Sequence, residues 1–149
     1  MPLQVPASLK NAHDALHAGL KHAMREPGHT GEVARKIMQL MDGHMLREEK
    51  FALRPLGLLK ELGRGETPAD LAEAARMVQG LKSEMPQMID EHRQIAELLR
   101  ILAREAEAEG KAEYVAFAGE MLVHAHVEED VLYPAALLVG KYAAFVRGD

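Results

Sequence analysis

The sequence predicts an all-α fold, an antiparallel up-down four-helix bundle, and three observations carry that expectation. Apolar residues make up 48% of the 149 residues and charged residues 28%, the balance of a globular protein that can bury a core of its own. Ala, Leu, Met and Glu abound, whereas Trp is absent and Phe and Tyr number three each, so strand-filling residues are scarce. Apolar residues also recur at helical spacing in long runs, which Pro and Gly divide into segments with short connections. The chain reads as one domain over residues 1–149.

The first helix is expected from Ser8, a fitting N-cap, to about Arg25, where Pro27 and Gly28 stop it. Leu9, Ala12, Leu16 and Leu20 form its apolar stripe. The second starts near Thr30 to Glu32 and runs to about Leu62, ahead of Gly63 and Gly65. Val33, Ile37, Leu40, Met41 and Leu46 are its apolar positions, and Pro55, lacking an amide donor, should kink or end it. Thr67 and Pro68 read as the N-cap and first residue of a helix to about Leu81. Gly80 and Pro86 then predict either a kink or a fresh start near Ser83, and so a kink or extra short helix before the next long one. That helix carries Ile89, Ile95, Leu98, Leu99 and Leu102 to about Glu109, and Gly110 ends it. The last runs from about Ala112 into the tail, bent by Pro134.

Composition also removes several classes of function. The formal net charge is −5 and no basic stripe stands out, so no nucleic-acid partner is expected. Cysteine is absent, which excludes disulfides, thiolate metal sites and a Cys nucleophile. The N-terminal MPLQVPASLK has no apolar export segment, and no apolar run approaches the roughly 20 residues of a membrane helix. A cytoplasmic protein without a membrane partner is expected.

The informative residues are the eight His. Residues 44–53 read HMLREEKFAL and residues 124–133 read HAHVEEDVLY, so His44, Glu48 and Glu49 correspond to His124, Glu128 and Glu129. Upstream, AHDAL at 12–16 resembles EHRQI at 91–95; His13 precedes His44 by 31 residues and His92 precedes His124 by 32. The chain therefore holds two copies of one unit: a helix with a His, a turn, and a helix with HxxxEE.

Residues four apart on a helix lie within about 40° of each other, so His44 projects with Glu48 and His124 with Glu128. Burying four imidazoles and two carboxylates in a bundle core is costly unless something coordinates them. Two di- or trivalent cations would, and imidazole and carboxylate suit Fe, Mn or Zn. The expected ligands are His13, His44, Glu48, His92, His124 and Glu128. Glu49 and Glu129 sit about 100° further round, as residues behind the ligands or in solvent, though either could ligate. His17, one turn after His13, is either a further ligand or a donor behind one. His126 is expected at the surface, and His22 and His29 flank a turn. Tyr133 is either a proton or radical relay or a core aromatic.

These motifs resemble the hemerythrin-like family, the HHE cation-binding domain. The resemblance covers about Leu9 to Leu138 and rests on HDxL at His13, HxxxEE at His44, EHxxI at His92 and HxxxEEDVLYP at His124. It implies an antiparallel four-helix bundle around two non-haem iron ions, oxo- or hydroxo-bridged, with Mn or Zn as substitutes. It gives His13 and His44 to one iron, His92 and His124 to the other, and makes Glu48 and Glu128 the bridges. Oxygen-carrying members have a second His one turn before the residue matching His92; here that position is Met88, which leaves room there for water, hydroxide, Glu91 or an exogenous ligand. The implied function is binding of O2 or a related small oxidant, as carrier, store or sensor, with a small diatomic or peroxide ligand and a protein redox partner. The alternatives are an enzyme removing peroxide or nitric oxide, and an iron-responsive or structural metal-binding interaction module.

Overall fold

The computed structural model describes residues 3–148, which form helices and short connections with no strand among them. Helix α1 spans Ala7–Met24 and α2 spans Gly28–Glu48. The chain then makes a π-helical turn, Glu49–Leu53, a 3-10 segment, Arg54–Leu58, and the short α3, Leu59–Gly63. Helix α4 spans Leu71–Ala108 and α5 spans Ala112–Val127. A second π-helical turn, Glu128–Leu132, leads into α6, Tyr133–Arg147. No helix is long and apolar enough to cross a membrane among the described residues.

Side-chain pairs fix the directions of the helices. His13 meets Glu49 and His17 meets Asp42 between α1 and α2; His44 meets Glu91 and Arg47 meets Glu84 between α2 and α4. In each case one residue number rises as its partner's falls, so neighbouring helices run antiparallel. With 38 residues, α4 is about 57 Å long and spans two packing layers. Its C-terminal half joins α1, α2 and α5 around Leu20, Ile37, Leu99 and Leu102. Its N-terminal half joins α6 and the segment after α2 around Leu53, Leu81, Met88 and Tyr133. A third cluster, with Leu3, Leu58, Leu71 and Val139, closes the far end. Burying each such side chain contributes about 1.5–3 kcal/mol, so both layers have cores of their own.

Several boundaries differ from expectation. Ser8 lies inside α1, and Pro6 holds the cap position at φ −52°, a value suited to helix entry. Thr67 and Pro68 stay outside α4, which begins at Leu71 after Asp70. No fresh start occurs near Ser83: α4 runs through Pro86, whose exposed position lets its ring and missing donor face water. Ser83 Oγ returns a hydrogen bond to the Gln79 carbonyl at 3.3 Å. The one extra short helix is α3 instead. Leu46 is 70% exposed, and Met45 takes the core position. Leu46 lies about 200° round the helix from the inward-facing His44.

Helix α2 is capped from across the bundle. Gly28 has φ +77°, a conformation only glycine adopts cheaply. Its chain path lets the amides of His29 and Thr30 donate to Glu109, at 3.1 and 3.0 Å, and the Thr30 hydroxyl donates there too. The Thr30 hydroxyl and these amides hold the Glu109 carboxyl down at about 2.

Candidate metal centre

Between two of these apolar clusters lies a layer of polar side chains, all of them buried except the partly exposed His124. His13 comes from α1, His44 and Glu48 from α2, His92 from α4, His124 from α5 and Glu128 from the start of the second π-turn. All six border one cavity of about 20 Å³, room for about one water-sized molecule. The rest of its wall is Leu16, Met41, Met45, Ile95, Met121 and Ala125, a nearly apolar lining.

The six residues form two groups, within each of which the ligand atoms lie within 4.8 Å of one another: His13, Glu48, His124 and Glu128, and His44, Glu48, His92 and Glu128. In the first, His13 Nε2 is 2.9 Å from Glu48 Oε1 and 3.1 Å from Glu128 Oε2, and His124 Nε2 is 3.1 Å from that same Oε2. In the second, His44 Nε2 is 3.2 Å from Glu48 Oε2, and His92 Nε2 is 3.3 Å from Glu128 Oε1 and 3.6 Å from Glu48 Oε2. Each carboxylate thus divides its two oxygens between the two imidazole pairs.

This grouping differs from the partition that the resemblance implies. The resemblance paired His13 with His44 and His92 with His124, keeping each sequence copy together. In the fold, His13 and His44 stand at opposite oxygens of Glu48, so each group takes one His from each copy. The ring centroids agree, at 5.2 Å for His13–His124 and 4.5 Å for His44–His92.

Three imidazoles are backed by carboxylates. Glu49 lies 3.2 Å from His13 Nδ1, Glu91 lies 2.9 Å from His44 Nδ1 and Glu129 lies 2.8 Å from His92 Nδ1. Each such carboxylate fixes the ring and makes Nε2 a better donor. Lys10 neutralises Glu49 at 3.3 Å, and Arg47 pairs with Glu91. The Tyr133 hydroxyl donates to Glu48 Oε2 and lies 3.4 Å from His92 Nε2, with its ring stacked on His92.

Burial works against a charge on His13, but hydrogen bonds and attraction from Glu128 and Glu48 prevail and push its pKa up to about 10. The same balance, with Glu129 added, takes His92 to about 10. His44 is raised as well, against its burial, chiefly by Glu48. Burial would raise Glu48, yet Glu128 and the surrounding imidazoles hold it well below the usual carboxylate range. Burial is also the main reason that the Tyr133 phenol is driven far above its ordinary value, with Glu48 and Glu128 adding to it. Without a cation, the carboxylates keep protons on these rings.

The donor set fits a metal on one further point. His44 Nε2 is buried without a hydrogen-bond partner, because its approach to Glu48 is misaligned. A cation that displaced the proton from this ring would take up a nitrogen that Glu48 meets only poorly. Two imidazole nitrogens and two carboxylate oxygens per position suit Fe, Mn or Zn.

The remaining sequence candidates divide cleanly. Glu49 and Glu129 stand behind His13 and His92. His17 lies outside both groups, 3.3 Å from Asp42, and His126 is exposed. His22 bonds the Tyr114 hydroxyl at 2.6 Å, and His29 meets Glu32. Met88 is fully buried in the lower cluster with Leu53 and Tyr133 and does not border the cavity. The free space lies on the opposite side, between Leu16, Met41, Met45, Ile95 and Met121, so a vacated-His opening at Met88 is not what the fold provides. Sequence reasoning missed the service of Glu91 to His44: Glu91 neighbours His92 in the chain, and only the packing of α4 on α2 brings it there. No family model, curated protein or solved structure matches the chain.

Proposed function

We propose that this chain is a dinuclear metal protein of hemerythrin-like type, with two iron ions as its resident pair and a small oxidant, O2 first, as its ligand. One observation carries the reading: the two oxygens of Glu48, and those of Glu128, are divided between two separate imidazole pairs. That is the arrangement of bridging carboxylates, and a lone structural ion has no use for it. Iron is preferred to Mn and Zn on the resemblance of the motifs, since donor chemistry alone admits all three.

Such a pair, when bound, supplies one-electron redox and Lewis-acid chemistry toward the oxidant. The chain does the rest. His13, His44, His92 and His124 would hold the two ions together with Glu48 and Glu128. Leu16, Met41, Met45, Ile95 and Met121 keep bulk water from the cavity and limit entry to molecules of a few atoms. Tyr133 keeps a proton on its hydroxyl against Glu48. That buried proton favours, as a second reading, an enzyme that consumes peroxide or nitric oxide, because such chemistry needs a donor at the site.

The test is metal analysis followed by anaerobic reduction and exposure to O2, H2O2 or nitric oxide, watched by visible absorption. A spectral change with O2 that argon reverses supports carriage or sensing. Oxygen evolution from peroxide, or loss of nitric oxide over many turnovers, supports the enzyme. Well under one ion per chain from iron-replete cells overturns both.

A further inference from the structure

The sequence duplication becomes an approximate two-fold relation in the fold. It exchanges His13 with His92, His44 with His124, Glu48 with Glu128 and Glu49 with Glu129, and so exchanges the two imidazole pairs. The relation fails at two places beside the ligands. Ala12 stands where Glu91 stands, and Leu53 stands where Tyr133 stands.

Both failures favour the same position. At His44 and His92, each ring has a carboxylate on Nδ1, from Glu91 and Glu129, and the shared Glu48 oxygen is steadied by the Tyr133 hydroxyl. At His13 and His124, only His13 has such a carboxylate, Glu49. Among the described residues no side chain hydrogen-bonds His124 at Nδ1, and the residue matching Glu91 is Ala12. Leu53 offers no hydroxyl either. The His124 side chain is also 20% exposed, against 2% for His13 and His44 and 6% for His92. Removing the carboxylate behind a ligating His typically lowers metal affinity about 10- to 100-fold.

From this asymmetry we infer that the two positions fill in order, with His44 and His92 taking the first ion tightly and His13 and His124 taking the second as the exchangeable one. This inference rests on the dinuclear reading. Glu91 acts here as a positioning residue, through His44. The exposed edge of His124 is the side from which the second ion enters and leaves.

The experiment is a titration of the metal-stripped full chain with Co(II) against a competing chelator, with binding read from visible absorption. The wild type should bind two ions in steps separated tenfold or more. His124→Ala should keep the first step and lose the second; His44→Ala should lose the tight step. Glu91→Gln should weaken the first step about 10- to 100-fold and leave the second in place, narrowing the gap. Glu84→Gln, which removes the other carboxylate near Arg47 without touching a ligand, should leave both steps unchanged. Two indistinguishable steps in the wild type, loss of the tight step in His124→Ala, or no effect of Glu91→Gln would overturn the ordering while leaving the dinuclear centre intact. Fewer than two ions at saturation would overturn the dinuclear reading itself and the ordering with it.

Discussion

At the scale of single residues, the two shared carboxylates should matter more than any one imidazole. Replacing Glu48 or Glu128 by Ala removes an oxygen from both positions and half of the shared counter-charge of the buried rings, so on the dinuclear reading metal content should fall from two ions per chain to near zero. His126→Ala, on the outer face of α5, should leave both ions in place. Metal analysis of the purified variants separates these outcomes, and equal losses from Glu128 and His126 would mean that the metal-facing side of α5 has been misassigned. The pH response follows from the same groups. In the metal-free protein His13 and His92 have pKa values of about 10, above the ordinary value of 6.5. Their contribution to stability is therefore complete below pH 6.5 and fades as the pH rises toward 10. Glu48, held below its ordinary value, contributes above about pH 4.5 and loses this as the pH falls. Metal binding must displace the imidazole protons, so it strengthens with pH. The melting-temperature gap between loaded and stripped protein should widen from pH 6 to pH 9, and a constant gap would contradict the protonation assigned to these rings. His44, Glu48, His124 and Glu128 were legible in sequence because spacing of four fixes a shared helix face, and His13 and His92 because the duplication matches them. The partners of Glu91 and Tyr133 were not, since His44 and Glu48 lie 47 and 85 residues away.

At the scale of elements, the two π-turns do what the sequence could not announce. On an uninterrupted α-helix Tyr133, five residues after Glu128, would lie about 140° from it. The π-turn uses five residues where an α-turn uses four, so Tyr133 returns close to the direction of Glu128 and reaches the site. The Glu49–Leu53 turn does the same for Leu53 after Glu48. Helix existence and type were readable from periodicity and punctuation; of the two outcomes expected at Pro86, the fresh start is excluded, since α4 runs on through it. Close approach of α6 to α4 depends on Gly140, where an added Cβ would lie 2.4 Å from Val78 Cγ1. Gly140→Ala should cost about 1–3 kcal/mol by forcing these helices apart, read as a lower denaturation midpoint with metal content retained. An unchanged midpoint would show that Val78 moves aside freely.

At the scale of the whole molecule, the polar layer separates two apolar clusters that are each sound without it. Stripping the metal should therefore leave the helices formed, with far-UV circular dichroism little changed, while the melting temperature drops. An ion present at a thousandfold its dissociation constant stabilises by about 4 kcal/mol, and each kcal/mol is about 2–4 °C for a chain of this size. A fall of about 10 °C or more on chelation is the expected result. A fall of only a degree or two would place the metal outside the described layer.

The π-turns also dictate where this chain can change length. Each is one residue longer than the regular turn it replaces, and that residue sets the rotational phase between the helix above the site and the helix below it. Deleting the exposed Asp130 would swing either His124 and Glu128, or Tyr133, Ala136 and Val139, by about 100°, so one half must leave its core. Substitution at Asp130 carries no such penalty. The connection between α3 and α4, residues 64–70, joins ends with no common phase, and a residue added among its exposed positions 64–67 should be absorbed. Length is therefore information at 49–53 and 128–132, in addition to what Glu49, Glu128 and Glu129 carry as side chains. A deletion scan, scored by soluble yield and metal content, would expose these two windows as frame-sensitive against the tolerant connection at 64–67.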